Sequence, residues 1–209
     1  MSNVKLPKAT IKRLPLYYRY MQKMQASGTI RVSSAEISKR LQLDAATVRR
    51  DFSHFGNLGT KGLGYDVNKL LQFFSKLLNQ DEVAAVALVG AGNLGTALLL
   101  YNSMRKDNTV VKMAFDIESE KVGTTIGDTP IYHLDQLEAR IAAEQIEVAI
   151  LTVPSTVAQA ITDRLIRAGV KAILNFTPAR LKVPTGVHVN SINFSIELQS
   201  LLYLLKNYH

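Results

Sequence analysis

The chain has 209 residues, 47% of them hydrophobic and 20% charged, with a formal net charge of +8. That is enough chain for two small domains, each with its own core. There is no cysteine, which excludes disulfides, a thiolate nucleophile and cysteine metal sites, and no metal is expected. No apolar run reaches the roughly 18–20 residues that span a bilayer, and no signal-peptide h-region opens the chain, so a cytoplasmic protein without a membrane partner is expected.

The charge is unevenly placed. Residues 1–80 hold 14 Lys/Arg against 4 Asp/Glu, whereas residues 81–209 hold 11 against 13. A basic segment of net +10 followed by one of −2 suggests that only the first meets a polyanion. A lysine-rich face kept for solubility is the plainer alternative.

In chain order, Pro15 suits a first helical turn, and Leu16, Tyr17, Tyr20, Met21 and Met24 recur at helical spacing up to Ser27-Gly28. Ser33 and Glu36 in Ser33-Ser34-Ala35-Glu36 have the spacing of a capping box, opening a short helix with Ile37 and Leu41 on one face. Asp44 can cap a third helix, Ala45 to about Phe55. Two short helices around a tight turn make a helix-turn-helix pattern.

The third helix buries Val48, Phe52 and Phe55, spaced i, i+4, i+7. It also carries Thr47, Arg49, Arg50, Ser53 and His54. Thr47, Arg50 and His54, with Arg49 at the flank, are expected to face outward or toward the rim. Such a face can enter a major groove, with arginine bonding guanine edges or phosphates. Asp51 would be repelled by phosphates and is read as orienting a neighbouring arginine. The run Gly56-Asn57-Leu58-Gly59-Thr60-Lys61-Gly62-Leu63-Gly64-Tyr65 then places four glycines in nine positions, as a two-stranded wing requires. Lys61, beside Gly62, is expected near its tip. A linker helix from Val67 to about Leu78 and the polar break Asn79–Glu82 complete the first domain.

Val83–Val89 reads as a strand buried in a parallel sheet. It leads into Gly90-Ala91-Gly92-Asn93-Leu94-Gly95, a GxGxxG, then a helix Thr96–Met104 and a second strand Val110–Phe115 ending in Asp116. Together these form the register of a dinucleotide site. Gly90 permits the tight turn, Gly92 the approach of a pyrophosphate to the backbone, and Gly95 the packing of helix on strand. Asp116 would accept from adenosine ribose hydroxyls and repel a 2′-phosphate, favouring NAD(H) over NADP(H). A coenzyme A site, or a glycine turn without a ligand, remain alternatives.

Further units are expected: strand Glu147–Val153, helix Ser155–Ala168, strand Ala172–Phe176 and strand Val187–Ile192. Thr152-Val153-Pro154 and Asn175-Phe176-Thr177-Pro178 lie at carboxyl ends of strands, where open α/β sheets bind ligands, and are expected to flank the nicotinamide half. The last helix, Ile196–Tyr208, carries an apolar stripe of Leu198, Leu201, Leu202 and Leu205, for which a second subunit is a candidate cover. The reading is thus α/β: a winged helix with its linker helix over residues 1–80, a Rossmann domain with a doubly wound parallel sheet over 81–193, and a dimerisation helix over 194–209.

In this order the motifs Ser33–Glu36, Val48–Asp51, Phe55–Tyr65, Gly90–Gly95, Leu151–Pro154 and Asn175–Pro178 resemble the Rex family of redox-sensing transcriptional repressors. The resemblance implies a homodimer with exchanged terminal helices on a palindromic operator DNA, bound with NAD⁺ permitted and released by NADH. It implies a cofactor site that includes Tyr101, a switch residue near the nicotinamide, with Lys121 and Phe194. It also implies a contact between Arg19 and an acidic residue at the start of the last helix. The matching position here is Asn193, an amide that can hydrogen-bond but carries no charge. Two other functions stand beside this one. One is a winged-helix sensor of another nucleotide such as coenzyme A. The other is an NAD-dependent dehydrogenase, disfavoured because none of His54, His133, His188 and His209 sits beside a carboxylate in a catalytic motif and no substrate domain follows.

Overall fold

The computed structural model describes residues 6–60, 62–103 and 108–207. The chain divides into two compact units, Met1–Glu82 and Val83–His209.

The first unit opens with helix α1 (Lys8–Ala26), which contains Pro15 in its interior. The helix therefore starts a full seven residues before the point that Pro15 suggests. Proline removes one intrahelical bond, but its fixed φ suits a helix, and Pro15 lies on the exposed side where water can replace the lost donor. Thr10, Leu14, Tyr17, Tyr20 and Met21 form the buried stripe that holds the helix. Strand β1 (Arg31–Val32) follows, too short to leave a periodic signal. Helix α2 (Ser34–Leu41) begins on a complete capping box: Ser33 Oγ accepts from Glu36 N at 3.1 Å and Glu36 Oε2 accepts from Ser33 N at 2.7 Å. The Ser33 backbone N–H, with the Ser33 hydroxyl after it, holds the Glu36 carboxyl below its ordinary range.

Helix α3 (Ala45–Ser53) is capped by Asp44, whose Oδ1 accepts from Ala46 N at 2.7 Å. It ends two residues before Phe55, which stays half-buried with its ring 5.3 Å from that of Phe73. Strands β2 (Gly59–Thr60) and β3 (Gly64–Asp66) form the wing hairpin, and β1 adds to its other edge in the order β1-β3-β2. Helix α4 (Val67–Leu77) is more than a linker. It buries Val67, Leu70 and Phe74 in the same core, with the Phe74 ring 5.6 Å from Phe52 and 6.0 Å from Tyr17.

In the second unit, β4 (Ala84–Val89) leads to α5 (Asn93–Ser103) and β5 (Thr109–Asp116). A hairpin, β6 (Thr125–Ile126) and β7 (Thr129–His133), then a 3-10 turn (Leu134–Gln136) and α6 (Leu137–Ala143) come next. His133 is the last residue of β7. Then come β8 (Val148–Leu151), α7 (Ser155–Arg167), β9 (Ala172–Asn175), β10 (His188–Ser191) and α8 (Phe194–Asn207). The seven strands lie in the order β10-β9-β8-β4-β5-β7-β6, and all pairs are parallel except β6 on β7. This is a doubly wound sheet, with its order reversing between β4 and β8. Its apolar faces are covered by α6 and α7 through Leu137, Ile141, Ile161 and Leu165, and by α5 through Leu99. No residue of α8 is buried: Phe194, Ile196, Leu198 and Leu201 to Leu205 all lie exposed.

Candidate functional site

Strand register builds the site in the second unit. Phe115, Val89, Leu151 and Asn175 lie side by side across β5, β4, β8 and β9. Their successors Asp116, Gly90, Thr152 and Phe176 therefore share one rim, at the carboxyl ends of the strands and across the point where the order reverses. Bonds from Gly90 N to Phe115 O, Thr152 N to Val89 O and Phe176 N to Leu151 O, each 2.9 Å, tie that rim together.

The glycine loop is built tightly on one side and open on the other. A Cβ on Gly95 would sit 2.0 Å from the carbonyl oxygen of Gly90, so the helix can approach the strand only there without a side chain. Gly90 has φ +98° and would place a Cβ 2.7 Å from Thr152 O, while the Thr152 hydroxyl donates to Gly90 O at 2.7 Å. A Cβ on Gly92 would meet nothing within 4 Å. The helix starts at Asn93 rather than Thr96, so the amides of Asn93, Leu94 and Gly95 form its first turn, where no carbonyl four residues back is available to them. They present partial positive charge to the open side.

Asp116 closes this cradle. It is 8% exposed. Its Oδ2 accepts from Ala91 N at 2.6 Å, and its Oδ1 accepts from Ile117 N at 2.7 Å and Glu118 N at 3.0 Å. A carboxylate has about four acceptor positions, so one remains for a donor from outside. Lys121, beyond it, pairs with Glu118 at 2.7 Å, and that hydrogen bond raises its pKa.

On the other side of the switch point, Thr152 and Val153 are half-buried and Pro154 is exposed. Asn175 is fully buried, and all of its polar atoms are engaged. Nδ2 donates to Ala179 O at 3.0 Å and Ser191 Oγ at 3.2 Å, and Oδ1 accepts from Thr177 N at 2.9 Å. Asn175 thus shapes the loop, leaving Pro178 exposed. Thr177 and Pro178 line a cleft of about 300 Å³ with Arg180, Asn193 and Ile196. Asn193 caps α8, its Oδ1 accepting from Ser195 N at 3.0 Å and Ile196 N at 3.2 Å. Phe194 and Tyr101 are 78% and 57% exposed. Tyr101 is not at the rim: it stands eight residues into α5, about 12 Å along the axis from its start.

In the first unit, Arg49, Arg50 and Ser53 are exposed on α3, whereas Thr47 and His54 are half-buried. The exposed arc is rotated from the one expected because Asp51 is itself buried, at 1% exposure, and widens the inward face on that side. Asp51 does orient an arginine, but it is Arg13 of α1 rather than a neighbour on its own helix. Arg49 Nη1 donates to Ser34 Oγ at 3.3 Å. A groove of about 480 Å³ runs between α3 and the wing, lined by Ser34, Arg49, Ser53, Asn57, Thr60, Gly62 and Tyr65 among others. Lys61 lies outside the described residues. Arg31 braces the wing by donating to Leu63 O at 3.1 Å. Ser34, Asn57 and Tyr65 also line the groove, and no sequence signal marks them, since uncharged hydroxyls and amides carry no charge pattern. Among the described residues no group of three or more His, Asp and Glu could hold a metal, and no helix is long and apolar enough to cross a membrane.

A basic winged helix followed by a doubly wound sheet with a glycine cradle at its switch point defines a ligand-responsive DNA-binding regulator. Comparison with known proteins agrees. Residues 5–53 match a family described as "Putative DNA-binding protein N-terminus" and residues 81–179 one described as "CoA binding domain". The chain is 60% identical over 98% of its length to the redox-sensing transcriptional repressor Rex of Geobacillus kaustophilus, covering 95% of that protein. It is 57% identical over its full length to that of Bacillus cereus, covering 99%. A solved structure of RSP in complex with β-NAD⁺ and operator DNA aligns with a TM-score of 0.89 at 37% identity, covering 96% of this chain and 93% of that one. RSP in complex with β-NADH aligns at 0.85 and 36% identity, covering 97% and 95%. The chain belongs to the Rex family of redox-sensing transcriptional repressors, which are not enzymes.

Proposed function

We propose that this chain is a cytoplasmic homodimer that binds a palindromic operator and releases it on binding NADH. The observation that carries the reading is the joining, in one chain, of a basic winged helix to a cradle whose open side begins at Gly92 and whose far wall is Asp116. Relatives at 57–60% identity over nearly the whole chain are named as redox-sensing repressors.

In this reading the pyrophosphate lies over Gly90 to Gly95, against the amides of Asn93, Leu94 and Gly95. The free acceptor position of Asp116 takes an adenosine ribose hydroxyl, with Ala91 and Lys121 beside it. Thr152, Val153, Pro154, Asn175, Thr177 and Pro178 border the nicotinamide half, Asn175 by shaping the loop. The nicotinamide ring, when bound, brings a positive charge in its oxidised form and none in its reduced form, so an apolar rim of Val153, Pro154 and Pro178 favours NADH. Thr47, Arg49, Arg50, Ser53 and His54 read the major groove, while Lys61 and Gly62 meet the adjacent minor groove. The apolar α8 packs on the partner subunit, and Arg19, Asn193, Tyr101 and Phe194 belong to the switch. A coenzyme A sensor is the weaker reading: Asp116 and Glu118 repel a phosphate near the adenosine ribose.

The test is fluorescence anisotropy on a duplex selected by the protein from a randomised pool, titrated at fixed salt with NADH and with NAD⁺. NADH is expected to weaken binding by roughly 5–150-fold, the range of ordinary allosteric couplings, and NAD⁺ to leave it strong. Equal effects of the two nucleotides would sink redox sensing.

A further inference from the structure

Asp51 sits on the recognition helix α3 but faces away from its exposed arc. Its carboxylate takes four hydrogen bonds, all from α1. Thr10 Oγ1 and Arg13 Nη2 donate to Oδ1 at 2.8 and 2.7 Å; Tyr17 Oη and Arg13 Nε donate to Oδ2, each at 2.6 Å. Thr10, Arg13 and Tyr17 are spaced i, i+3, i+7 and so share one face of α1. Every acceptor position of the carboxylate is filled, and no water is needed to satisfy it.

The rest of the buried contact between α3 and the core is apolar, made by Val48 and Phe52, while the bond from Arg49 to Ser34 is exposed and longer, at 3.3 Å. Hydrophobic attraction holds a helix down without fixing its rotation, because it has no preferred direction. Hydrogen bonds do have one, and they weaken steeply when misaligned. A roll of about 20° about the α3 axis would carry a group at about 6 Å radius sideways by about 2 Å, enough to break a bidentate contact to a base edge. Contacts to phosphates tolerate such a shift, since they are sequence-independent and many geometries serve.

We propose that Asp51, gripped by Thr10, Arg13 and Tyr17, is the positioning residue that sets the roll of the recognition helix and thereby its discrimination between DNA sequences. The inference rests on the repressor reading above.

The test compares full-length wild type, Asp51→Asn, Tyr17→Phe and Thr10→Val on a duplex selected by the wild type and on a scrambled duplex of equal length, at several salt concentrations. Circular dichroism checks the folded fraction and NADH titration checks the second unit. Asp51→Asn is expected to lower the ratio of selected to scrambled affinity by about tenfold, within the discrimination that one base contact supplies. Affinity for scrambled DNA, its salt slope and NADH affinity are expected to stay within about twofold of wild type. Tyr17→Phe and Thr10→Val, each losing one bond, shift the ratio less and in the same direction. A merely structural role would lower the melting temperature and leave the ratio alone. An unchanged ratio in folded Asp51→Asn overturns the proposal. If that variant does not fold, an unchanged ratio in both milder variants overturns it instead. A wild type that prefers no sequence would sink the repressor reading itself.

Discussion

The Asp116 carboxylate accepts a 2.6 Å hydrogen bond from the backbone N–H of Ala91, so the acid at the end of β5 holds the glycine loop that begins after β4. One group thus fixes the loop and keeps one acceptor position free, which the proposed site gives to the adenosine ribose. Replacing Asp116 by Ala removes both. A bond to a charged group is worth about 1.5–3 kcal/mol, so NADH affinity measured by isothermal titration is expected to fall by about tenfold or more. Operator binding without nucleotide should be preserved. An unchanged NADH affinity would place the ribose elsewhere.

Next to it, Glu118 pairs with Lys121 at 2.7 Å. In the proposed site the pair occupies the cation that a 2′-phosphate would otherwise use, and Glu118 adds its own repulsion. Glu118→Gln is expected to raise NADPH affinity severalfold and move NADH affinity by less than about twofold, as befits an exposed pair. Adding Lys121→Gln should cancel the gain. Competition titrations with the two nucleotides would read this directly.

Most of the architecture was legible because its signals are local. The Ser33–Glu36 capping box, the Asp44 cap, the glycines from Gly56 to Gly64 and the GxGxxG each act within a few residues, and the structure uses each. What was not legible is long-range. Pro15 suggests a helix start until Leu14, Tyr17 and Met21 are seen buried against the rest of the unit. The partners of Asp51 lie 34 to 41 positions away, so no spacing rule links them. The two-residue β1 and the β6–β7 hairpin are too short for a period. The inward turn of Asn175 depends in part on Ser191, 16 positions away, which only the fold brings to it.

Asp51 and Tyr17 also set opposite limits in pH. Burial pushes the Asp51 carboxyl up, but the hydrogen bonds from Arg13, Tyr17 and Thr10 outweigh it and hold the group below its ordinary value. Its contribution is therefore present above the unfolded pKa of about 4 and lost as pH falls through the lower folded value. Burial, followed by the bond to Asp51, raises the Tyr17 hydroxyl, so its contribution is full below about pH 10 and lost as pH rises further. Urea melts of the full chain across pH should show the acid limb flattened by Asp51→Asn and the alkaline limb flattened by Tyr17→Phe. Identical limbs in wild type and both variants would contradict the pairing.

Asn193 caps α8 through its side-chain oxygen, a task that aspartate performs equally well. Asn193→Asp should therefore keep the helix and add the acidic charge that the proposed switch with Arg19 calls for. The expected outcome is a steeper release of operator by NADH, abolished again by Arg19→Gln. Asn193→Ala should cost about 1 kcal/mol of helix stability and blunt the response. If Asn193→Asp releases operator at the same NADH concentration as wild type, the switch does not use this charge.

Gly92 and Gly95 give the sharpest separation of folding from binding, because the loop treats them oppositely. A methyl on Gly95 meets the Gly90 carbonyl oxygen at 2.0 Å, a distance that no rotamer relieves, so Gly95→Ala must displace α5 from the sheet. A methyl on Gly92 meets nothing within 4 Å and lies in the space assigned above to the pyrophosphate. Gly95→Ala is expected to lower the melting temperature and to abolish NADH binding together. Gly92→Ala should melt within a few degrees of wild type without nucleotide yet lose most of the thermal shift that NADH confers by mass action. Because Gly92→Ala leaves the winged helix untouched, it should still bind operator, now insensitive to NADH. A Gly92→Ala protein that keeps the full NADH shift would show that the open side of the loop is not where the phosphates sit.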